Sequence, residues 1–511
     1  MNNFKKWCAN VGFIVLVTLL VACGGNGTNE NASSNNGNSN EAEPTGNENE
    51  PFKFSIMANL HTAEVPDKKV QNLLEEATNT ELDIQWVPDS NYEERLNTAF
   101  ATGSLPQAVY MKNQSTYNQF KEAIRDDQFW EIGPYLDQFE NLNKLKPEVV
   151  ANTLVDGKMY GLYQGRPLSR SGIIYRKDWA ENLGIEAPTT VEEFMEMARA
   201  FTEDDPDGNG RNDTMGLTDR NDLIYGAFKT VASWHGVPNN WGEKDGELLP
   251  EFMFDEYVET LDYMKELHAN GFMNQDFPVT SKNDQQALFK NGTAGIYIGS
   301  MGDVLSLYND ASQLNPDLEF AVHNYVEGPN GEYNIWAIPG YGNLVIFPKS
   351  AVKTEEELLG ILAFYNEMMT PEVANLTFWG VEGEHYEVQD GRALANSDSA
   401  LTDREVKPYQ SIEIGEADTN GRYLGLATYD AKIKADELEI DNEQYLVHDP
   451  TITLDSETFQ THGDRLQQII NDVTYQYILG QTDLDGFNKA VDNWRNQGGD
   501  DIIKEFNESN Q

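Results

Sequence analysis

The chain has 511 residues, of which 11% are aromatic, and it carries a formal net charge of −49 at pH 7. This length is enough for two or three domains with sizeable cores, and the acidic composition argues against binding to nucleic acid or anionic lipid headgroups. The two cysteines, Cys8 and Cys23, lie near the amino terminus, so no disulfide framework is expected in the rest of the chain.

Residues 1–22 have the pattern of a secretory signal peptide. Lys5 and Lys6 precede an apolar run over 11–20, which is shorter than the roughly 20 residues that a membrane span needs. The run ends in Leu20-Val21-Ala22-Cys23, which resembles the bacterial lipoprotein lipobox. This resemblance implies cleavage before Cys23, lipidation of Cys23 (palmitate) and a lipid anchor on the extracellular face of a Gram-positive cell membrane. An ordinary signal peptide with an accidental cysteine is the alternative.

Residues 23–51 predict a disordered tether. From residue 24 onward this segment consists of Asn, Gly, Ser, Glu, Thr and Pro, with Ala32 and Ala42 as its only apolar residues. Such a composition cannot bury enough apolar surface to fold. The folded part is therefore expected to begin at residue 52 and to be held away from the membrane by a flexible segment.

The first folded segments predict an α/β architecture. Apolar residues alternate over 52–56 and again over 82–86, which is typical of strands, and they recur at helical spacing over 70–77. A strand, a helix and a strand in this order favour parallel pairing with a right-handed crossover. A further short strand is predicted over 108–111.

Several segments resemble family 1 extracellular solute-binding proteins, the substrate-capturing subunits of ABC sugar importers. Their order and spacing extend the resemblance over nearly all of the chain beyond the tether, and the later segments are similar to a Gram-positive subgroup linked to plant and algal polysaccharide uptake. The segments are 101–109, 129–136, 156–162, 172–179, 289–295, 379–386 and 494–506.

This resemblance implies the two-lobe periplasmic-binding-protein fold, with the ligand in a cleft between the lobes and closure by a hinge motion. The first crossing is expected near 163–167 and the second near 327–331. The expected division is lobe 1 over 52–165, lobe 2 over 166–327, a return to lobe 1 over 328–395 and a carboxy-terminal part of lobe 2 over 396–511.

The segment 205–213 predicts a calcium-binding loop. Asp205, Asp207, Asn209 and Asp213 place oxygen-bearing side chains at loop positions one, three, five and nine, with Gly210 at position six. Arg211 would contribute its backbone carbonyl. Position twelve is Gly216, which cannot bind the ion, so water or another carboxylate would complete the shell. Similar truncated loops occur in the alginate-binding proteins that this chain resembles, and a solvated turn is the alternative.

The candidates for substrate binding are aromatic residues near Gly, Pro and Asn, and polar residues that follow predicted strands or flank the first crossing. Aromatic faces stack on sugar C–H groups, and ligands collect at the carboxyl ends of strands in α/β sheets. Core packing and solvated loops are the alternatives. The candidates are His61, Lys112, Asn113, Gln114, Arg166, Arg170, Asp219, Arg220, Trp234, Trp241, Ser300, Trp336, Tyr341, Trp379 and His385.

The sequence contains no nucleophile elbow, no His-Glu-x-x-His motif and no phosphate loop. We therefore predict a protein that is not an enzyme, a monomer that captures an oligosaccharide and delivers it to ABC transporter permease subunits, with structural calcium and with the membrane contacted only through lipid. The alternatives are a secreted polysaccharide lyase or hydrolase, a binding protein for peptides, and a co-receptor of a sensor kinase.

Overall fold

The computed structural model describes residues 50–62 and 64–510. The predicted signal peptide, the lipidation site at Cys23 and nearly all of the predicted tether lie outside the described residues. In the part that is described, no helix combines the length and the apolarity that a membrane span requires.

The strands form two main sheets and three two-stranded ones within the described residues. They are β1 (Phe52–Leu60), β2 (Thr80–Pro88), β3 (Ala108–Met111), β4 (Gly161–Gly165), β5 (Ser171–Arg176), β6 (Met215–Thr218), β7 (Trp241–Lys244), β8 (Glu247–Pro250), β9 (Ala294–Ser300), β10 (Phe320–His323), β11 (Ile335–Trp336), β12 (Tyr341–Ile346), β13 (Tyr386–Gln389), β14 (Arg392–Ala395) and β15 (Leu446–Val447).

Helices cover both main sheets. They are α1 (Lys68–Thr78), α2 (Tyr92–Ala101), α3 (Gln114–Asn118), α4 (Lys121–Arg125), α5 (Pro147–Ala151), α6 (Lys177–Leu183), α7 (Val191–Glu203), α8 (Ala227–Trp234), α9 (Asp255–Ala269), α10 (Lys282–Lys290), α11 (Val304–Ala311), α12 (Glu355–Met368), α13 (Pro371–Trp379), α14 (Ser399–Glu405), α15 (Ala417–Asn420), α16 (Asp430–Asp441), α17 (Glu457–Ile478), α18 (Leu484–Trp494) and α19 (Asp500–Ser509).

The first sheet has the strand order β2-β1-β3-β12-β4. β1 runs parallel to β2 and β3, as the strand–helix–strand pattern predicts, whereas β12 is antiparallel to β3 and β4. Its apolar residues belong to one buried core, with Ile56, Val109 and Leu344 at its centre. A sheet that is covered on both faces explains why these strands contain runs of consecutive buried apolar residues.

The second sheet has the order β10-β5-β9-β6 and separates two apolar cores. On β5, Ile173 packs into the core that contains Phe201, while its neighbour Ile174 packs into the core that contains Phe289. Successive side chains point to opposite faces of a strand, so one strand supplies both cores. β6 runs parallel to β9 and β5 runs antiparallel to it, which brings the start of β5 to the same edge as the ends of β6 and β9.

The chain passes repeatedly between the two sheets. It leaves the first sheet at the end of β4, crosses over residues 166–170 and enters the second sheet as β5. Tyr333 and Trp336 still pack in the core that contains Phe201, and the chain is back in the first sheet at β12. Residues 406–414, which the expected division assigns to the second lobe, contribute to the first core. After these residues the chain reaches the core that contains Phe289, which it joins at Ala431.

Candidate functional site

A cavity of about 340 Å³ opens at the edge of the second sheet where β6 and β9 end and β5 begins. Four of the predicted substrate-binding residues line it: Arg170, Arg220, Ser300 and Trp336. They come from the crossing segment, the ends of two strands and β11. The cavity therefore lies beside the segment that connects the two sheets.

Arg220 is held in place by partners from its own loop and from α10. Its guanidinium donates to Gln285 Oε1 at 3.2 Å and to Asp222 Oδ2 at 3.3 Å, and it also donates to the carbonyl of Tyr225. The side chain is only 7% exposed. These contacts fix its position in the cavity wall and leave it little freedom to reorient.

Asp219 lies behind the cavity wall and stabilises the loop that carries Arg220. Its Oδ1 accepts from the backbone N–H of Arg220 at 2.8 Å and of Ala227 at 2.9 Å. The side chain is fully buried, and burial raises the pKa of Asp219 to about 6. Because it satisfies the Ala227 N–H at the start of α8 and the Arg220 N–H in the loop before it, its position indicates a structural role. This burial does not favour the predicted substrate contact.

Two aromatic rings contribute to the cavity wall. Trp336 is 6% exposed, and its Nε1 donates to Thr230 Oγ1 at 3.1 Å. The ring of Tyr225 crosses it edge to face with centroids 5.7 Å apart, and Tyr225 is 50% exposed. An aromatic group that is anchored by a buried ring and still exposed in a cavity can stack on an apolar ligand face.

Charged groups of both signs meet in this cavity. Lys282 Nζ lies 3.6 Å from Asp303 Oδ2, and Asp303 also accepts from the hydroxyl of Tyr297 at 3.3 Å. Arg170 has no ion pair and no side-chain hydrogen bond to the described residues. The cationic side chains of the cavity are thus engaged to different extents.

The polar candidates of the first sheet lie at the ends of β1 and β3. Lys112 Nζ lies 3.4 Å from Glu93 and 3.7 Å from Asp89, so acidic side chains already surround it. Asn113 caps α3 by accepting from the Thr116 N–H at 2.8 Å, and Gln114 begins that helix. Asn113 and Lys112 therefore both have local partners in the protein.

His61 and Arg166 lie near each other between β1 and the crossing segment. Desolvation lowers the pKa of His61, Asp89 opposes this effect, and the charges of Lys407 and Arg166 add to it. The Arg166 guanidinium packs beside Gly342 and donates to Gln164 Oε1 at 3.4 Å. Neither residue lines the cavity at the second sheet.

Three aromatic candidates are core residues in this structure. Trp234 is fully buried and packs edge to face on Phe194, with centroids 5.4 Å apart. Trp241 packs edge to face on Phe506 at 4.9 Å, and Tyr341 lies in the first core. Their sequence neighbours Gly, Pro and Asn resemble loop surroundings, but tertiary packing covers the rings. We do not retain them as ligand contacts.

The remaining candidates, Trp379 and His385, lie on the side of the first core. Trp379 is half-buried and its Nε1 donates to the carbonyl of Tyr423 at 2.9 Å. His385 is fully buried, its Nδ1 accepts from the Val381 N–H at 3.0 Å, and its Nε2 lies 3.2 Å from Glu405. Both side chains are satisfied by the protein, so we do not retain them either.

Glu384, His385 and Glu405 also form a group whose ligand atoms lie within 4.8 Å of one another. The Val381 N–H occupies Nδ1 of the imidazole, so the proton of neutral His385 lies on Nε2 and points to Glu405. Lys69 pairs with Glu384. Hydrogen bonding by Arg404 lowers the pKa of Glu405, and desolvation opposes part of this shift. Protein cations and the imidazole proton fill the places that a metal ion would take.

The loop 205–213 connects α7 to β6 and folds on its own polar groups. Both carboxylate oxygens of Asp205 accept from the Gly210 N–H, at 3.2 and 3.0 Å. The Asn209 amide donates to Asp207 Oδ2 at 2.7 Å and to Asp213 Oδ1 at 3.1 Å, drawing two carboxylates together. In the described part of the chain none of the three aspartates forms an ion pair. Several oxygens without a cation suit a hard divalent ion.

The comparisons with known proteins agree with this architecture. A family model described as bacterial extracellular solute-binding protein matches residues 61–375. This chain belongs to that family. The Bacillus subtilis (strain 168) polygalacturonan/rhamnogalacturonan-binding protein YtcQ is 42% identical over 97% of this chain and 98% of its own length.

Two further similarities extend the comparison. Lipoprotein LipO of Bacillus subtilis (strain 168) is 32% identical over 98% of this chain and 97% of its own length. The crystal structure of an extracellular solute-binding protein from Bifidobacterium longum subsp. infantis superposes with a TM-score of 0.69 at 15% identity, and the match covers 90% of this chain and 98% of that one. The two-lobe fold of solute-binding proteins is thereby confirmed.

Sequence reasoning missed several cavity residues of this solute-binding protein. They are Ser169, Asp222, Tyr225, Lys282, Tyr297 and Asp303. Tyr225 offered a signal, because an aromatic residue follows Ile224 in a polar loop directly after a strand. Lys282 begins α10 and has the pattern of an ordinary surface lysine. Only the fold brings these segments together.

Proposed function

We propose that this chain is the binding subunit of an ABC importer that captures an oligosaccharide and delivers it to permease subunits. The observation that carries this proposal is the cavity beside the crossing segment, where Arg170 lies with Tyr225 and Trp336. Guanidinium groups match sugar hydroxyls and aromatic faces match sugar C–H groups, the combination expected in a carbohydrate pocket. Membership of the extracellular solute-binding family supports it.

Fragments of polygalacturonan and rhamnogalacturonan are the first ligands to test, because the name of YtcQ gives these polymers. A thermal-shift screen followed by calorimetry should find an oligosaccharide that stabilises the protein, since a ligand adds RT ln(1 + [L]/Kd) to the free energy of unfolding. The ligand should be recovered uncut. Cleavage would instead indicate a lyase or hydrolase, and binding of peptides alone would refute the oligosaccharide proposal.

We further propose that the ligand closes two lobes against each other, with His61 and Lys112 contributing from the first sheet and Arg220 and Ser300 from the second. The crossing segment over 166–170 and the later passages between the cores support a hinge there. A ligand favours closure only by its higher affinity for the closed state. Solution scattering should show a smaller radius of gyration with ligand, and tight binding without compaction would exclude closure.

The proposal includes lipid attachment through Cys23 and an extracellular location. The lipobox-like segment supports it, and so does the full-length similarity to a protein named lipoprotein. Cys23→Ser should release the protein into the medium or leave it unprocessed. A variant that is processed and still partitions into detergent would contradict the anchor.

We also propose that the loop 205–213 binds one calcium ion as a structural cofactor. Asp205, Asp207 and Asp213 would supply carboxylate oxygens, Asn209 its amide oxygen and Arg211 its backbone carbonyl. The support is that the Asn209 amide bridges Asp207 and Asp213, that Asp205 folds back on the Gly210 N–H, and that none of the three aspartates pairs with a cation among the described residues. Asn209 would turn its amide so that the oxygen faces the ion. The ion would hold the loop between α7 and β6.

A further inference from the structure

The cavity contains an arginine, Arg170, whose charge has no partner among the described residues. The chain has 85 acidic and 36 basic residues, so a cationic side chain is usually close to a carboxylate. Arg170 is exposed at the cavity, yet among the described residues it forms no ion pair and no side-chain hydrogen bond. A guanidinium in a cavity with all its donors available suits an anionic group on a ligand.

The other two cations of the cavity are already engaged. Arg220 donates to Gln285 at 3.2 Å, to Asp222 at 3.3 Å and to the carbonyl of Tyr225. Lys282 lies 3.6 Å from Asp303. Since nearby carboxylates compensate these two charges, Arg170 is the cavity residue best able to form a new bidentate pair.

A buried hydroxyl group next to Arg170 lacks a partner as well. Ser169 is 1% exposed, it lines the same cavity, and its Oγ has no hydrogen-bond partner in the described part of the chain. Buried hydroxyl groups are normally satisfied. A ligand oxygen that accepts from Ser169 would supply the missing hydrogen bond while it also contacts Arg170.

One acidic residue near Arg170 has to be considered as a competing partner. Glu439 on α16 accepts from the Gly302 N–H at 3.2 Å, and the charges of Arg170, Lys432 and Asp436 act on it. Burial raises the pKa of Glu439 to about 7. The carboxyl group is therefore partly neutral near pH 7, and no ion pair joins it to Arg170 in the described chain.

We propose that Ser169 and Arg170 form a carboxylate-binding subsite that makes this protein prefer an acidic sugar residue, a hexuronate, over its neutral counterpart. This inference rests on the proposed function. The guanidinium would take the two carboxylate oxygens side by side, and the Ser169 hydroxyl would donate to one of them. The rest of the acidic surface repels anions, so the selectivity is a local property of the crossing segment.

The test compares three trisaccharides that differ at the carboxyl group. Tri-galacturonate carries free carboxylates, its methyl ester carries uncharged esters, and galactotriose has hydroxymethyl groups instead. Calorimetry on the full chain should show the tightest binding for the free acid. Arg170→Gln should weaken binding of the free acid about tenfold to a hundredfold, the range expected when a charged hydrogen bond is lost, and should weaken binding of the methyl ester much less, because the ester loses only neutral hydrogen bonds.

Further variants separate charge, geometry and folding. Arg170→Lys should recover only part of the affinity, because an ammonium cannot pair bidentately. Ser169→Ala should weaken the free acid less than Arg170→Gln does. Arg95→Gln removes the same charge from an exposed position on α2 and should leave the affinity for every probe unchanged. Melting curves of all variants would show whether each is folded.

The outcomes distinguish the subsite from the proposed function. If Arg170→Gln loses the same affinity for the free acid as for the methyl ester, the carboxylate subsite is overturned. If galactotriose or another neutral oligosaccharide binds while no galacturonate does, the subsite is refuted and the proposed function stands. If no oligosaccharide binds at all, both are refuted.

Discussion

Two groups of acidic side chains in this protein differ in what compensates their charge. At Glu384 and Glu405, the protein supplies Lys69, Arg404 and the imidazole of His385. At the loop 205–213 the described residues supply no cation, and backbone N–H groups and one amide hold the carboxylates. Both groups have the composition of a metal site, and only the second is without a cation from the described residues. The residues that surround a carboxylate therefore decide its role.

The largest effect is expected at the compensated group. His385→Ala would leave the Val381 N–H and the Glu405 carboxylate without their partner and would open a cavity at a fully buried position. The free energy of unfolding should fall by about 2–4 kcal/mol. Denaturant unfolding measures this loss. Calcium should stabilise this variant as much as it stabilises the parent chain. If that stabilisation is lost, the ion binds at this group instead.

The uncompensated loop should respond to calcium itself. The chain should melt at a higher temperature with calcium than with chelator, since saturation at one hundred times Kd adds about 2.7 kcal/mol. Asp207→Ala should remove this difference and leave the fold intact. Asp83→Ala, at an exposed position of β2, is the matched control. Identical melting curves of the parent chain with calcium and with chelator would contradict the site.

A third acidic residue sharpens the comparison, because Glu439 is half-buried and its charge is only partly compensated. Burial raises its pKa to about 7, against the weaker opposing effect of Lys432. A raised carboxyl pKa adds stability below the ordinary value near 4.5, and that stability is lost as the pH rises through 7. Glu439→Gln should therefore stabilise the protein at pH 8 by on the order of 1–3 kcal/mol, with little effect at pH 5.

The control for this prediction lies on the same helix. Glu437→Gln changes an exposed residue that pairs with Lys434 at 3.3 Å, so it should have a small effect with no such pH dependence. Thermal or denaturant unfolding at both pH values gives the comparison. A Glu439→Gln variant that is equally destabilised at pH 5 and pH 8 would show that the carboxyl group is neutral or well paired throughout.

Local sequence patterns predicted much of the fold. The alternation at Phe52, Phe54 and Ile56 corresponds to β1. Thr354 followed three residues later by Glu357 is typical of a helix start, and the Thr354 side chain caps α12 by accepting from the Glu357 N–H at 3.2 Å. These features depend on neighbours within one turn or one strand. α12 ends at Met368, shortly before Pro371, and Pro371 takes the first position of α13, where a missing N–H costs nothing.

The site was harder to predict because it depends on distant contacts. Nothing in the sequence near Trp234 indicates that Phe194 covers its ring, and nothing near Arg220 indicates that Gln285 fixes its guanidinium. The strand-end rule did find Arg220 and Ser300, since the end of a strand can be recognised locally. It could not show which polar side chain after a strand faces the cavity and which, like Asp219, faces inward.

The short connection between β4 and β5 has a consequence for how this molecule could be engineered. Segment 166–170 joins β4 to β5 in five residues, so a rotation of one sheet against the other changes its backbone dihedral angles, together with those of the later passages, and displaces Ser169 and Arg170. The same segment therefore carries the proposed ligand-binding residues and changes conformation when the sheets rotate. A dye attached beside them at Pro167→Cys, in a chain whose two cysteines, Cys8 and Cys23, both lie near its amino terminus, would convert sheet rotation into an optical signal.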